Sequence, residues 1–490
     1  MTVLGEIPFL SDFPLLNLIS LLGMFGLCAI AWIFSENRRL KYFPWRVMLG
    51  GIILQLLLGA LVFRVPGAKG ALQIFSDILN GLFDAADVGA RFVFGPNIVP
   101  VPGVEPNVNL GYIFAFRALP TVIFFGGLMA LLYNIGLIQL ITNIFAKLFY
   151  STMRLSGAES LSGAANIFVG IEAAIVVKPF LEKMTRSEIC AILSCCFGTS
   201  ASSVLAIYGS FLKPVFPNIL AHLVSASIIG IPACFVLSKI LVPETQVPLT
   251  AGGIPVEDSV DISGDETPET NIAGEVISKQ SPLDAAIAGA LDGVKMSVGI
   301  AAVLILILGL VNLINQLFGF LAGLPTPVGD FFQVVTLANI SGLLFLPLTA
   351  LTGVSLDWPE LWQSSVLIGR RLLETAIPSY QELGRLGQEG LLSPRAILIV
   401  SYALSGFAHM ASVGIFVGGT AALIPSRRRD ISELGWKALF VGTLATLMIS
   451  CVAGVFDTGD ASILGQPAET VSMTSMEQIL PSPNDGLFSQ

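Results

Sequence analysis

Hydrophobic residues in this chain come in long blocks. Largely uncharged runs occupy about residues 15 to 35, 47 to 63, 118 to 141, 189 to 212, 215 to 242, 296 to 322, 396 to 424 and 436 to 456. Each is about 17 residues or longer, enough for a helix to cross a hydrocarbon core of roughly 30 Å. Glycine and proline recur inside the runs, which suits a helical bundle better than a barrel, whose strands would alternate polar and apolar residues. The pattern predicts an all-α polytopic membrane protein with about eight transmembrane helices.

Two segments interrupt it. Residues 161 to 179 are apolar but carry Asn166, Gly170 and Glu172, and stop at Lys178-Pro179. Residues 361 to 392 place Arg370, Arg371, Glu374, Pro378, Glu382 and Arg385 between two apolar stretches. Both read as re-entrant helical hairpins, because non-helical backbone at membrane depth is tolerated only inside protein or beside a watery cavity. A run full of small and hydroxyl residues follows each: "SCCFGTSASS" (194–203) and "SGFAHMASVGIFVGG" (405–419). One such set in each half is the pattern of an inverted-repeat secondary transporter with its site near the midplane.

Composition agrees with that reading. Of 490 residues, 54% are hydrophobic and 12% charged, more apolar surface than one water-soluble core hides. The net charge of −9 comes mostly from the eight acidic residues between Glu244 and Ser278, a stretch without Lys or Arg. This reads as a solvated cytoplasmic linker between two membrane halves, and no nucleic-acid partner is expected. Basic clusters at 37–46, 183–186 and 427–429 mark the cytoplasmic side of a plasma membrane, the bacterial inner membrane, with both termini extracytoplasmic. The first run lacks a basic leader and reads as a retained span. The six cysteines show no metal spacing and read as small buried residues. Boundaries follow: membrane spans over 1–140 as a scaffold; hairpin and two spans over 141–242 as a transport part; the linker over 243–282. A second scaffold piece covers 283–358, a second transport part 359–456, and a tail 457–490.

An ionised carboxylate in hydrocarbon costs at least about 2.5 kcal/mol, so Glu172 must face protein, an ion or a hydrated substrate. Lys178 would lie on a different face of a helix, which disfavours a simple internal pair. Thr199, Ser200, Ser202 and Ser203 offer hard oxygen ligands for a cation, or ordinary small-residue packing. His409 and Ser412 fall on one helical face and can look into the same cavity. Glu374 either meets substrate or forms a salt bridge with Arg370 or Arg371. Neither histidine has a Ser, Cys or Asp partner motif, and no HExxH or Gly-rich phosphate loop occurs, so an enzyme is not expected.

At these residues the chain resembles the concentrative nucleoside transporter family. The likeness runs from "GGIILQLLLGALVF" (50–63) and "ARFVFG" (90–95), through "LPTVIFFGGLMALLY" (119–133) and "SGAESLSGAANIFVG" (156–170), to "ALSGFAHMASVGIFVGG" (403–419). The resemblance implies a homotrimer whose transport part moves as an elevator, taking up nucleosides with Na⁺ or H⁺ as coupling ion and no other cofactor. It also implies a substrate site at Glu172, Ile171, Glu374, Phe407, His409 and Ser412, and a cation site at Asn166, Val169, Thr199 and Ser200. Where the family has Gly-Gln-Thr-Glu-Ala-Pro, this chain has Gly170-Ile171-Glu172-Ala173-Ala174. Its Ala376 stands where the family has a ribose-binding Glu. His409 and Ser412 stand at the family's ribose-contacting Asn and Ser.

Overall fold

Among the described residues, six of the eight apolar runs hold a helix long and apolar enough to cross a membrane, and the other two are broken. The structure is a computed structural model and describes residues 15–64, 68–101, 113–117, 119–167, 170, 173–174, 177–200, 202–253, 269–270, 276–277, 281–325, 327–457 and 464–465. Among the described residues, the 6 helices long and apolar enough to cross a membrane are Leu15–Ile33, Trp45–Phe63, Phe114–Asn134, Ile219–Leu241, Pro282–Ala322 and Pro425–Phe456. Continuous helices expected over 189–212 and 396–424 are corrected. The first is Arg186–Gly198 and Ser202–Leu212, parted at Thr199, whose φ −124° and ψ 171° are extended. The second is Pro394–Leu404 and Met410–Leu423, parted at residues 405–409. The cause is local: Thr199-Ser200 and Ser405-Gly406 put hydroxyls that compete for backbone hydrogen bonds, and a glycine, where the helix would continue.

Both hairpins form. In hairpin 1, Gly157–Ala165 leads in and Lys178–Leu181 leads out, and the Ser162 hydroxyl donates to the Ala173 carbonyl at 3.1 Å. In hairpin 2, Trp358–Glu374 and Ala376–Gln388 meet at Thr375 alone, and the Ser379 hydroxyl donates to the Leu367 carbonyl at 2.9 Å. Each element starts on a matching cap. Ser156 with Glu159 and Thr185 with Glu188 form capping boxes, while Asp357 and Ser393 accept from the Glu360 and Ala396 amides. Hairpin, broken helix and long helix therefore follow one another in both halves.

Leu15–Ile33 and Trp45–Phe63 pack against Ile219–Leu241 and Arg428–Phe456, whereas Leu119–Asn134 pairs with Pro282–Ala322. In that pair a Cβ on Gly289 would lie 2.5 Å from the Gly126 carbonyl oxygen, so only glycine permits the approach. The three basic clusters share one face. Arg186 pairs with Glu36 at 3.0 Å and Glu433 at 2.5 Å, Lys437 also holds Glu36, and Arg427 donates to the Met184 carbonyl at 2.8 Å. At the other end, the Asn17 amide donates to the Val455 and Asp457 carbonyls at 3.1 and 2.8 Å, so the first and last helices begin and end together.

Most of the expected linker lies outside the described residues. Its first residues dock on hairpin 1: the Thr250 carbonyl accepts from the Gly157 amide at 2.9 Å and its hydroxyl from the Ala158 amide at 3.0 Å. Buried Lys239, paired with Glu159 at 2.5 Å, also draws in Glu244 at 3.4 Å. Further on, Glu269–Thr270 and Val276–Ile277 form a short antiparallel pair. All six cysteines are buried and free.

Candidate functional site

The two helix breaks are joined to each other. The Ser200 hydroxyl donates to the Ser405 carbonyl, and the Phe407 amide donates to the Thr199 carbonyl at 3.3 Å. Hairpin 1 joins from a third side, its Asn166 carbonyl accepting from the Thr199 hydroxyl at 3.3 Å. Gly406 makes this crossing possible, since a Cβ there would sit 2.8 Å from the Phe197 carbonyl oxygen and 2.6 Å from the Thr446 methyl. Asn166, Thr199, Ser200 and Phe407 are thus brought together; Val169, Ile171 and Glu172 lie outside the described residues.

A cation fits this crossing. The Asn166 amide nitrogen donates to the Ser162 carbonyl at 3.2 Å, which leaves its Oδ1 buried without a hydrogen-bond partner among the described residues. That oxygen, the two hydroxyls and the carbonyls at the helix ends are the neutral, hard donors that Na⁺ prefers. An orphaned buried acceptor costs about 1–3 kcal/mol, which a bound ion would offset.

The placement of His409 and Ser412 on one helical face is corrected. They do not share a helical face, because His409 (φ −139°, ψ 158°) is the N-cap of Met410–Leu423. Its Nδ1 accepts from the Ser412 amide at 3.3 Å and lies 3.0 Å from the Ser412 hydroxyl. The break at 405–409 turns a pair expected on one face into a cap, with both residues buried. Glu374 is held by Arg370 at 2.8 Å, the salt bridge being what its i,i+4 spacing favours.

Four participants were missed in the sequence. Tyr208 and Tyr380 stack at 4.4 Å between the second part of the first broken helix and hairpin 2, and the Tyr380 hydroxyl donates to the Ser401 carbonyl at 2.6 Å. Ser405 is Ser200's acceptor. Arg371 is fully buried, and its Nη1 donates to the Ala403 carbonyl and to the Thr446 hydroxyl at 2.9 Å. One signal was available for it: Glu374 can satisfy one of the two adjacent arginines, and its i,i+4 pair with Arg370 leaves Arg371 without that acid.

Paired hairpins, each followed by a broken helix whose gap presents hydroxyls and helix-end carbonyls, define a secondary membrane transporter. The family model "Na+ dependent nucleoside transporter C-terminus" matches residues 222–454, its N-terminal counterpart residues 22–97, and a "Nucleoside recognition" gate model residues 115–215. An uncharacterized transporter of Haemophilus influenzae is 34% identical over 89% of this chain and 97% of its own. Nucleoside permease NupC of Helicobacter pylori is 30% identical over 90% of this chain and 98% of its own. The solved structure of CNTnw in an inward-facing substrate-bound state has a TM-score of 0.77 at 34% identity, covering 90% of this chain and 98% of that one. The chain belongs to the Na⁺-dependent nucleoside transporter family. It is a multi-pass membrane transporter and not an enzyme.

Proposed function

We propose that the protein takes up nucleosides or closely related solutes by symport with Na⁺ across a plasma membrane. The observation that carries this reading is the crossing of the two helix breaks with hairpin 1, where Asn166 Oδ1 is an orphaned acceptor beside Thr199 and Ser200. Neutral oxygen donors favour Na⁺ over H⁺ as the coupling ion. Substrate then lies between the hairpins, near Phe407, with Glu172 contributed by hairpin 1. The face carrying Arg186, Arg427 and Lys437 is assigned to the cytoplasm by its charge, which puts the ends near Asn17 and Asp457 outside. The Leu119–Asn134 and Pro282–Ala322 pair serves as the scaffold of a homotrimer, against which the hairpins and broken helices move.

The test is uptake of labelled uridine by proteoliposomes under an inward Na⁺ gradient, an inward proton gradient, or neither, at two pH values. Accumulation should require Na⁺, and Glu172→Gln should reduce it to background. Flux indifferent to both gradients, or a Glu172→Gln variant as active as the parent, would overturn the reading.

A further inference from the structure

Arg371 carries a buried positive charge that no acid among the described residues answers. Its side chain is 0% exposed. One terminal nitrogen is satisfied, Nη1 donating to the Ala403 carbonyl and the Thr446 hydroxyl. Nε and Nη2 have no hydrogen-bond partner, and no carboxylate pairs with the residue among the described ones. The nearest acid in sequence, Glu374, is taken by Arg370. The ionisable groups that feel the Arg371 charge are Tyr208, Tyr380 and His409, none of them an acid at neutral pH.

Two features of this arrangement point to a ligand. An isolated buried cation is costly, and the usual remedy is a paired anion with well-placed hydrogen bonds. Moreover, Nε and Nη2 form one edge of the guanidinium, with two nearly parallel N–H bonds at the spacing of two carboxylate oxygens. The bonds already made pass through Nη1 and leave that edge whole.

The position is also right. Arg371 stands one turn before Thr375, the turn of hairpin 2, and reaches the Ala403 carbonyl at the end of the helix that breaks at 405–409. Thr375 itself holds φ +73°, a strained conformation for a β-branched residue, and its buried hydroxyl has no partner among the described residues. The unused guanidinium edge and the strained turn therefore lie at the same end of the hairpin that borders the proposed substrate site.

We propose that Arg371 binds an anionic group of the transported solute through its Nε/Nη2 edge, so that the preferred substrates are nucleoside-like molecules bearing a carboxylate. This rests on the transport reading above and refines its substrate class. Glu172, outside the described residues, is the competing counter-charge within the chain.

Matched pairs differing by one carboxylate test it: uridine against uridine-5′-carboxylate, and uracil against orotate. Binding to the purified full-length protein is read by thermal shift and by Na⁺-driven uptake in proteoliposomes. The carboxylated member of each pair should bind at least tenfold more tightly, and Arg371→Met should erase that preference, with Arg371→Lys keeping part of it. Because the parent protein alone answers the pairwise question, a variant that fails to fold leaves the test intact. Na⁺-driven uptake of neutral uridine with no gain for the acid would overturn the anion assignment and leave the transport reading standing. Anion binding that emerges only in Glu172→Gln would overturn it too, and would make Glu172 the counter-ion. No Na⁺-dependent binding or uptake of any of the four would overturn both.

Discussion

Two arginines of the second half, Arg371 and Arg395, show opposite ways of holding a guanidinium in a membrane protein. Arg395, at the start of the second broken helix, has every nitrogen engaged. Its Nε donates to the Gly353 carbonyl at 2.9 Å, Nη1 to Asn17 Oδ1 at 2.9 Å and Asp457 Oδ2 at 2.8 Å, and Nη2 to the Ser20 hydroxyl and Gly454 carbonyl, both at 3.2 Å. It ties the first helix, the last helix and the loop before hairpin 2 into one knot, with an acid to match its charge. Arg371, deeper, has two bonds on one nitrogen and no acid. A saturated guanidinium with a counter-charge is a structural fastener, whereas one with an open edge is prepared for a partner that comes and goes.

The largest expected effect follows from that contrast. Arg395→Met removes the counter-charge of Asp457, whose side chain is 8% exposed, and breaking a nearly buried pair costs about 3–5 kcal/mol. Arg371→Met removes an unpaired cation, so the relief of its desolvation offsets the two lost bonds of about 1 kcal/mol each. Denaturation in detergent should therefore show Arg395→Met strongly destabilised and Arg371→Met within about 1 kcal/mol of the parent. Equal losses in the two would erase the distinction between fastener and binding group.

The distinction also bears on what could be read from the chain itself. The membrane class, two hairpins and the halves built alike were legible because apolar run length, hairpin charges and repeated caps are local signals. The helix breaks are half legible: "GTSASS" and "SGFAHM" stand out as runs of small and hydroxyl residues, but the apolar stretches around them predict continuous helices. Hydroxyls and Gly406 weaken both helices locally, but that the two breaks meet rests on the bond of Ser200 to the Ser405 carbonyl, a contact across 205 residues that no local pattern announces. His409 moved from a helical face to an N-cap for the same reason. Arg371 was seen only as a neighbour of Arg370, because its isolation depends on which residues pack around it.

A smaller effect probes the crossing next to Arg371. Ser200→Ala leaves the Ser405 carbonyl without its donor in a buried setting, a loss of about 1–2 kcal/mol. If the crossing also holds the cation, the Na⁺ concentration for half-maximal uptake should rise several-fold while uptake at saturating Na⁺ stays close to that of the parent. A stability loss with unchanged Na⁺ dependence would place the hydroxyl with the fasteners, beside Arg395, and not with the binding groups.

The smallest effect comes from a third charged cluster, which calibrates the other two. Glu36 lies outside the membrane helices, half exposed to water, between Arg186 and Lys437. Partial burial pushes its carboxyl up, but the hydrogen bonds and charges of Arg186 and Lys437 outweigh that and hold it below the ordinary value of 4.5. A carboxylate depressed in the folded state stabilises fully above its unfolded value and loses that contribution as pH falls through the folded one. Glu36→Gln should therefore cost about 0.2–1 kcal/mol at pH 7, fade in high salt, and disappear as pH falls through the depressed folded value. The measurement is the melting temperature of parent and variant across pH 3 to 7, at low and high ionic strength. A penalty as large as that of Arg395→Met, or one insensitive to salt, would mean that burial is not what separates the fastener from an ordinary surface pair.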